Sequence, residues 1–167
     1  PPARFGPALA YDSARGRTVL FGGNDGTSSS LSDTWEWDGS TWTQRTPAAS
    51  PPARMFHALA YDSARGRTVL FGGVGAFSDT WEWDGTIWTQ RFPATSPPAR
   101  GNHALAYDSA RGRTVLFGGY DGNTVLSDTW EWDGTTWTQR TQATSPPARR
   151  NHALTYDSAR GRAVLFG

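Results

Sequence analysis

Short apolar runs alternate along the chain with polar, glycine-rich and proline-rich breaks. Within a unit the runs are of the kind HALAYD, RTVLFG, DTWEWD and TWTQR, and apolar and polar residues alternate in them. A period of two predicts β-strands, and the breaks SARG and DG and the glycine-rich stretch between them predict turns. No segment has the apolar spacing of a helix, so the sequence predicts an all-β fold.

The same order of runs returns nearly four times. The segment YDSARGRTVLFGG occurs three times letter for letter and begins a fourth time. Aligned on PPAR, the units cover residues 1–50, 51–96, 97–145 and, as a half unit, 146–167. Periods in this range are typical of propellers and solenoids, and 167 residues suit one domain.

The third strand of each unit predicts how the units pack. Trp35 and Trp37 are two residues apart and point to one face of the sheet, whereas Glu36 points to the other. A single four-stranded sheet cannot bury these side chains, so successive sheets must stack face to face. Radial stacking that closes on itself is a β-propeller.

These motifs resemble the Kelch-repeat family, in its bacterial form. The residues that carry the resemblance are a double glycine after an apolar strand and two aromatic residues with six residues between them: Gly22 and Gly23, Gly72 and Gly73, Gly118 and Gly119; Trp35 and Trp42, Trp81 and Trp88, Trp130 and Trp137. An Arg followed by a His, as in Arg54 with His57, also fits. The resemblance implies a Kelch-type propeller of four-stranded antiparallel blades, with three full blades and a half blade.

The chain departs from the family pattern in three ways. The first aromatic residue is Trp where the family usually has Tyr, Pro7 replaces the His of the first unit, and the fourth unit lacks its outer strands. Closed propellers use about four to eight blades. We therefore expect closure either by blades of a longer parent chain or, preferably, by a homo-oligomer, with a dimer first, in which the Leu154–Phe166 hairpin finds partners on another copy.

Composition excludes several classes of function. All 16 basic residues are Arg, but they are balanced by 15 acidic residues within the repeats, so a nucleic-acid partner is not expected. There is no Cys, which excludes thiol chemistry and the cysteine-based radical cofactor of Kelch-type copper oxidases. No apolar stretch is long enough to span a membrane, and no cofactor motif is present. A secreted or cell-surface bacterial location is favoured.

Differences between the units cluster at two places. These are the inserts after the double glycines, NDGTSSSL, VGAF and YDGNTVL, and the residues after PPAR. Both lie at the same end of an up-and-down blade, and loops that vary on a rigid scaffold usually carry binding. The predicted ligand or partner residues are Asn24, Asp25, Phe77, Arg100, Asn102, His103, Tyr120, Asp121 and Arg150.

Repeated polar residues offer chemistry that we weigh against structural roles. Glu36 and its equivalents could be general acids, but they are expected to be held by Arg17 or Arg45 as interblade ties. His57, His103 and His152 could bind a metal, but a propeller spreads them around its axis, and bonding to nearby backbone is preferred. The Trp residues could stack on sugars, but their regular positions favour the core.

The sequence therefore predicts a non-catalytic binding or scaffolding module that uses the variable loops and the PPAR connections. Two alternatives stay open. One is a carbohydrate-binding or sugar-modifying propeller that uses the same face, and the other is a structural protein whose repeats serve self-assembly. Whether the ligand is a protein or a glycan is not determined by the residues.

Overall fold

The computed structural model describes residues 1–27 and 29–167, and in these residues all regular structure is β. Blade 1 consists of β1 (Ala8–Asp12), β2 (Arg17–Asn24), β3 (Ser30–Trp37) and β4 (Trp42–Arg45). Blade 2 consists of β5 (Ala58–Asp62), β6 (Arg67–Phe71), β7 (Thr80–Trp83) and β8 (Trp88–Arg91). Blade 3 consists of β9 (Ala104–Asp108), β10 (Arg113–Tyr120), β11 (Val125–Trp132) and β12 (Trp137–Arg140). The half blade consists of β13 (Ala153–Asp157) and β14 (Arg162–Phe166).

Each blade is an antiparallel sheet whose strands follow one another in chain order. The blades contact each other mainly through their first strands, because β1, β5, β9 and β13 lie side by side. The predictions of an all-β fold and of propeller blades with one partial blade are thus confirmed. Across residues 1–27 and 29–167 no helix is long and apolar enough to cross a membrane. Ser28, which belongs to the first predicted variable loop, lies outside the described residues.

Tight turns join the strands because Asp side chains bond the turn backbone. Asp12 Oδ1 accepts hydrogen bonds from the N–H groups of Ala14 and Arg15, both at 3.1 Å. Gly16 completes this turn with φ +63°, a value that favours glycine. The other units form the SARG turn in the same way, so the strand ends are set locally.

Every blade has two chemically different faces. One face, which we call the tryptophan face, carries in blade 2 the residues Leu59, Leu70, Trp83 and Trp88. The other, which we call the phenylalanine face, carries in blade 1 the residues Ala8, Ala10, Val19 and Phe21. These two sets form one buried cluster, and the equivalent residues of blades 2 and 3 form a second one. The core of the protein thus lies between blades, as the sequence predicted for the Trp residues.

One face at each end of the row of blades is less covered. On the tryptophan face of blade 1, Leu9 is 50% exposed, whereas its equivalent Leu59 is 7% exposed. On the phenylalanine face of the half blade, Phe166 is 83% exposed, whereas its equivalent Phe71 is fully buried. The two open faces therefore have complementary chemistry.

Candidate interaction face

The double glycine explains how one blade meets the next. Gly23 N–H donates to the Arg54 carbonyl oxygen at 2.9 Å, and a Cβ on Gly22 would lie 2.6 Å from that same oxygen. Only glycine allows this close approach at φ +60°. Because the contact recurs at Gly73 with Arg100 and at Gly119 with Arg149, each PPAR segment lies beside the variable loop of the preceding blade.

The Arg of each PPAR segment also holds its own blade together. Arg54 donates two hydrogen bonds to the Asp79 carboxylate, at 2.7 and 2.8 Å, and a third to the Gly72 carbonyl. Trp81 Nε1 donates to the same carboxylate at 2.7 Å. Burial tends to raise the pKa of Asp79, but the hydrogen bonds and charge of Arg54 outweigh burial, so that the pKa is lowered. This Arg–Asp–Trp group, which the sequence analysis did not find, recurs in blades 1 and 3.

A chain of backbone hydrogen bonds runs from blade to blade around the axis. Phe56 N–H donates to the Gly6 carbonyl, Asn102 N–H to the Phe56 carbonyl, and Asn151 N–H to the Asn102 carbonyl. The distances are 2.8, 2.8 and 2.9 Å. Three of these residues adopt positive φ without being glycine, which fixes the connections before the first strands in one geometry.

The three His residues follow these connections and are buried between blades. The His57 ring packs edge-on against Phe21 of the preceding blade, with ring centroids 5.5 Å apart, and His103 does the same with Phe71. Burial, reinforced by Arg54 and Arg100, lowers the pKa of both residues to about 3. Their ring nitrogens make no hydrogen bond of good geometry among the described residues, although the backbone of Phe21 and of Phe71 lies close enough to raise the pKa slightly against the effect of burial.

A metal site at the His residues was considered from the sequence but not predicted. Among residues 1–27 and 29–167, no three His, Cys, Asp or Glu side chains are placed to hold a metal ion together. His57, His103 and His152 line one cavity beside the axial connections, and each ring also packs edge-on against a Phe of the preceding blade.

The other predicted site residues fall into two groups. Buried groups with internal partners include Arg100, which is ion-paired with Asp128, and Asn24, whose side chain accepts from Gly26 N–H. Asp25 and Asp121 are exposed and bond the backbone of their own turns. Asn102 contributes its backbone to the axial chain.

Phe77 and Tyr120 have packing partners that the sequence did not indicate. The Arg54 guanidinium lies over the Phe77 ring, 4.0 Å from its centroid, and Arg150 lies over the Tyr120 ring at 4.9 Å. The two contacts use non-equivalent Arg positions, so neither is a packing role shared by all repeats, and the predicted ligand contact of the two aromatic residues stays a prediction. Such cation–π contacts hold the rings in place and leave Tyr120 partly exposed.

The variable loops enclose a cavity at this end of the protein. It has a volume of about 270 Å³ and is lined by Val74, Ala76, Gly101, Tyr120 and Asp121, among others. Three predicted site residues, Arg100, Tyr120 and Asp121, thus line one cavity between the loops of blades 2 and 3. Large apolar side chains are exposed around the same end, namely Phe5, Val74, Phe92 and Val125.

At the opposite side of the core, a recurring carboxylate joins neighbouring blades. Glu36 accepts hydrogen bonds from Arg15 at 2.7 Å, Arg45 at 2.9 Å and Trp83 Nε1 of blade 2 at 3.0 Å. The sequence left Arg17 and Arg45 as the two possible Arg partners of Glu36. Arg45 is a partner, whereas Arg17 pairs with Asp38. Burial tends to raise the pKa of Glu36, but Trp83 and the two Arg partners outweigh it and lower the pKa. Fully buried with internal partners, Glu36 is structural.

Comparison with known proteins identifies the family. No curated protein matches the chain. A family model described as the KLHDC2/KLHL20/DRC7 Kelch-repeats domain matches residues 1–167. Kelch-repeat domains generally mediate protein interactions and are typically non-enzymatic. With the whole sequence matched and the double glycines and paired Trp residues in place, the chain belongs to the Kelch-repeat family.

Proposed function

We propose that the protein is a non-catalytic protein-binding module whose interaction face is formed by the loops after the double glycines and by the PPAR connections. The observation that carries the proposal is the cavity between the loops of blades 2 and 3, where Tyr120 and Asp121 lie beside the exposed Val74. An apolar patch with a few placed polar groups is typical of a binding surface on a rigid scaffold.

The experiment compares the two ends of the protein. A photo-crosslinking amino acid is introduced at Val74 or Phe92 in the loop face and, as a control, at Ile87, which is as exposed as Val74 but lies in a turn at the opposite end. Extract of the source cells is then irradiated with each variant. We expect protein adducts from the two loop-face positions and none from Ile87.

A glycan array measures the alternative. Glycan binding that is lost on Tyr120→Ala, without protein adducts at Val74 or Phe92, would replace the proposal by carbohydrate recognition. Adducts that form only at Ile87 would place the interaction surface at the other end and contradict the proposed face.

We also propose self-association, with a dimer first. The support is that the tryptophan face of blade 1 and the phenylalanine face of the half blade are open and match the pair of faces buried inside the protein. Light scattering should give twice the chain mass of 18.2 kDa. The variant Phe166→Asp should return the mass to that of one chain, whereas Phe92→Asp, an equally exposed control, should not.

A further inference from the structure

Blade 2 differs from the other full blades in the loop that follows its double glycine. That loop, VGAF, is shorter than NDGTSSSL of blade 1 and YDGNTVL of blade 3. The strands on either side of it are shorter too, because β6 and β7 have 5 and 4 residues, whereas β2, β3, β10 and β11 have 8 each. Blade 2, which is described over its whole length, therefore lacks the extra strand pairs that lengthen the other two blades.

An open groove lies between this short loop and the connection that leaves β8. It has a volume of about 400 Å³, and its walls include Phe77, Asp79, Gln90, Phe92 and Pro93. Every residue that lines the groove lies between positions 76 and 96. Blade 2 is flanked by two full blades, because β5 contacts both β1 and β9. The groove is thus a property of blade 2 inside the row of blades.

Two aromatic rings of the groove occur only in this repeat. Phe77 stands where blades 1 and 3 have Leu, and Phe92 stands where they have Thr. The Arg54 guanidinium lies 4.0 Å from the centroid of the Phe77 ring and holds that ring in place. Phe92 is 84% exposed, so its ring is available to a ligand. Together the fixed ring and the exposed ring give the groove two apolar walls.

The charged side chains of the groove are already paired within blade 2. Both carboxylate oxygens of Asp79 accept hydrogen bonds from Arg54, at 2.7 and 2.8 Å. Arg91 is ion-paired with the buried Glu82 at 2.7 Å. Gln90, which is partly buried in the wall, adds an amide that can donate to a carbonyl oxygen. The groove therefore suits an uncharged ligand that carries apolar rings and hydrogen-bond acceptors.

We propose that this groove binds a proline-rich segment of a partner polypeptide in the polyproline II conformation. The inference rests on the protein-binding function proposed above and names the chemistry of the partner. A polyproline II segment has no internal hydrogen bonds, so its carbonyl groups can accept from the Gln90 amide while its Pro rings pack on Phe77 and Phe92. The segment is also ordered before it binds, so binding costs it little conformational entropy.

Other ligands fit the groove less well. A strand added to the edge of β8 would pair with only 4 residues, and Pro93, which follows soon after, has no N–H group to donate. The hydroxyl groups of a sugar need acceptors, but the Asp79 carboxylate already accepts from Arg54 and Trp81. A charged peptide would have to compete with the two ion pairs of the groove.

The test selects peptides on the intact chain. A displayed library of short random peptides is selected on the immobilised protein, and we expect the bound peptides to be enriched in Pro at about every third position, the repeat of polyproline II. The most enriched peptide, labelled with a fluorophore, should bind saturably and one-to-one by anisotropy and should shift the NMR signal of the Gln90 side-chain amide. Replacing its Pro residues by Ala should weaken binding by about tenfold or more, because the preformed conformation is lost.

Matched variants locate the binding in the groove. Each replaces an apolar residue of blade 2 by the residue that blade 3 has at the equivalent position, so the repeat already accommodates it. Phe92→Thr should weaken peptide binding by about tenfold or more and Phe77→Leu by about threefold, because aromatic contacts are lost. The control Ile87→Thr removes an exposed apolar side chain at the opposite end of the blade and should leave binding unchanged. Circular dichroism checks that the three variants fold.

Three results would overturn the proposal. The first is a selection without enrichment of Pro, or no binding of a Pro-rich peptide up to about 1 mM. The second is peptide binding that neither Phe92→Thr nor Phe77→Leu weakens, and the third is equal binding of the peptide with Ala in place of Pro. Any of these results together with protein adducts at Val74 or Phe92 would reject the proline-rich partner and keep the protein-binding function. The absence of both peptide binding and adducts would reject both proposals.

Discussion

Blades 2 and 3 have the same residues in the strands and turns that surround their recurring Glu side chains, yet the two Glu residues have different surroundings. Glu82 is fully buried and accepts from Arg65, Arg91 and Trp132 of the next blade. Glu131 has the equivalent Arg partners, but one of them, Arg140, lies 3.5 Å away, against 2.7 Å for Arg91. The side chain of Glu131 is also 10% exposed.

The difference shows that a complete network needs the tryptophan face of the following blade. The half blade covers the inner strands of blade 3 but brings no Trp to Glu131, and the two Arg partners are then about half exposed. Since each repeat contacts only its neighbours, stability is approximately a sum of terms for repeats and terms for their interfaces. The interface term, rather than the blade itself, distinguishes these two units.

The largest expected effect comes from removing the carboxylate charge in each network. Glu82→Gln removes a fully buried charge, so that Arg91 loses its carboxylate partner and Arg65 keeps only Asp62, and we expect it to lower the free energy of unfolding by about 4 kcal/mol. Glu131→Gln should cost about 1 kcal/mol, because Arg111 and Arg140 are solvated already. Urea denaturation of the two variants measures the difference. Equal losses would show that the interface does not set the strength of the network.

The second effect separates backbone strain from the contact between blades. Gly66 and Gly72 have nearly the same φ, +64° and +67°, but a Cβ on Gly66 meets nothing within 4 Å, whereas one on Gly72 lies 2.5 Å from the Arg100 carbonyl of blade 3. We expect Gly66→Ala to cost about 1 kcal/mol for the left-handed conformation. Gly72→Ala should cost about 3 kcal/mol, because overpacking adds to that strain. Thermal and urea unfolding of both variants test the comparison.

The repeat made most of the fold predictable from sequence. Alternation within the runs located the four strands of a blade, and the double glycine and the Trp spacing fixed their order and family. The open faces also followed from counting units. These features are local or periodic, so they need no knowledge of which side chains meet across the core.

The partners of individual charges were not predictable in the same way. Arg17 lies on a strand and looked like the natural partner of Glu36, but Arg15, which lies in the turn, reaches over to it. Likewise, the sequence did not indicate the partners of Phe77 and Tyr120, because Arg54 precedes Phe77 by more than 20 residues within its unit and Arg150 belongs to the unit after that of Tyr120. Strand alternation does not specify how far a turn residue or a long Arg side chain extends between blades.

The third effect compares an indole inside an interface with one at its open end. Trp83 is 1% exposed and donates to Glu36 at 3.0 Å, whereas Trp37, its equivalent in blade 1, is partly exposed and has no acceptor among the described residues. Trp83→Phe should lower the free energy of unfolding by about 2 kcal/mol through the lost hydrogen bond and a small cavity. Trp37→Phe should cost about 0.5 kcal/mol or less. If Trp37→Phe costs as much as Trp83→Phe, the tryptophan face of blade 1 is covered in solution, which would support self-association.

The smallest effect is a dependence of stability on pH. It should differ between the interface of blades 2 and 3 and the interface of blade 3 with the half blade. Burial holds the pKa of His57 and His103 at about 3, whereas an unfolded chain binds the proton near pH 6.5. The unfolded state therefore binds more protons between these values, so the stability contributed by each neutral His is lost as the pH falls from about 6.5 toward about 3.

Between pH 6 and pH 5, each neutral His should account for a loss of about 1 kcal/mol in the free energy of unfolding. His103→Gln should reduce the loss of stability over this range by that amount, measured by urea denaturation at the two pH values. His152, whose pKa is also lowered, chiefly by burial, lies against the half blade, and local opening of that hairpin exposes it without global unfolding. His152→Gln should therefore change the pH dependence less than His103→Gln. The opposite order would mean that the half blade is held as firmly as a complete blade, and the comparison between blades 2 and 3 would then rest on the missing Trp residues alone.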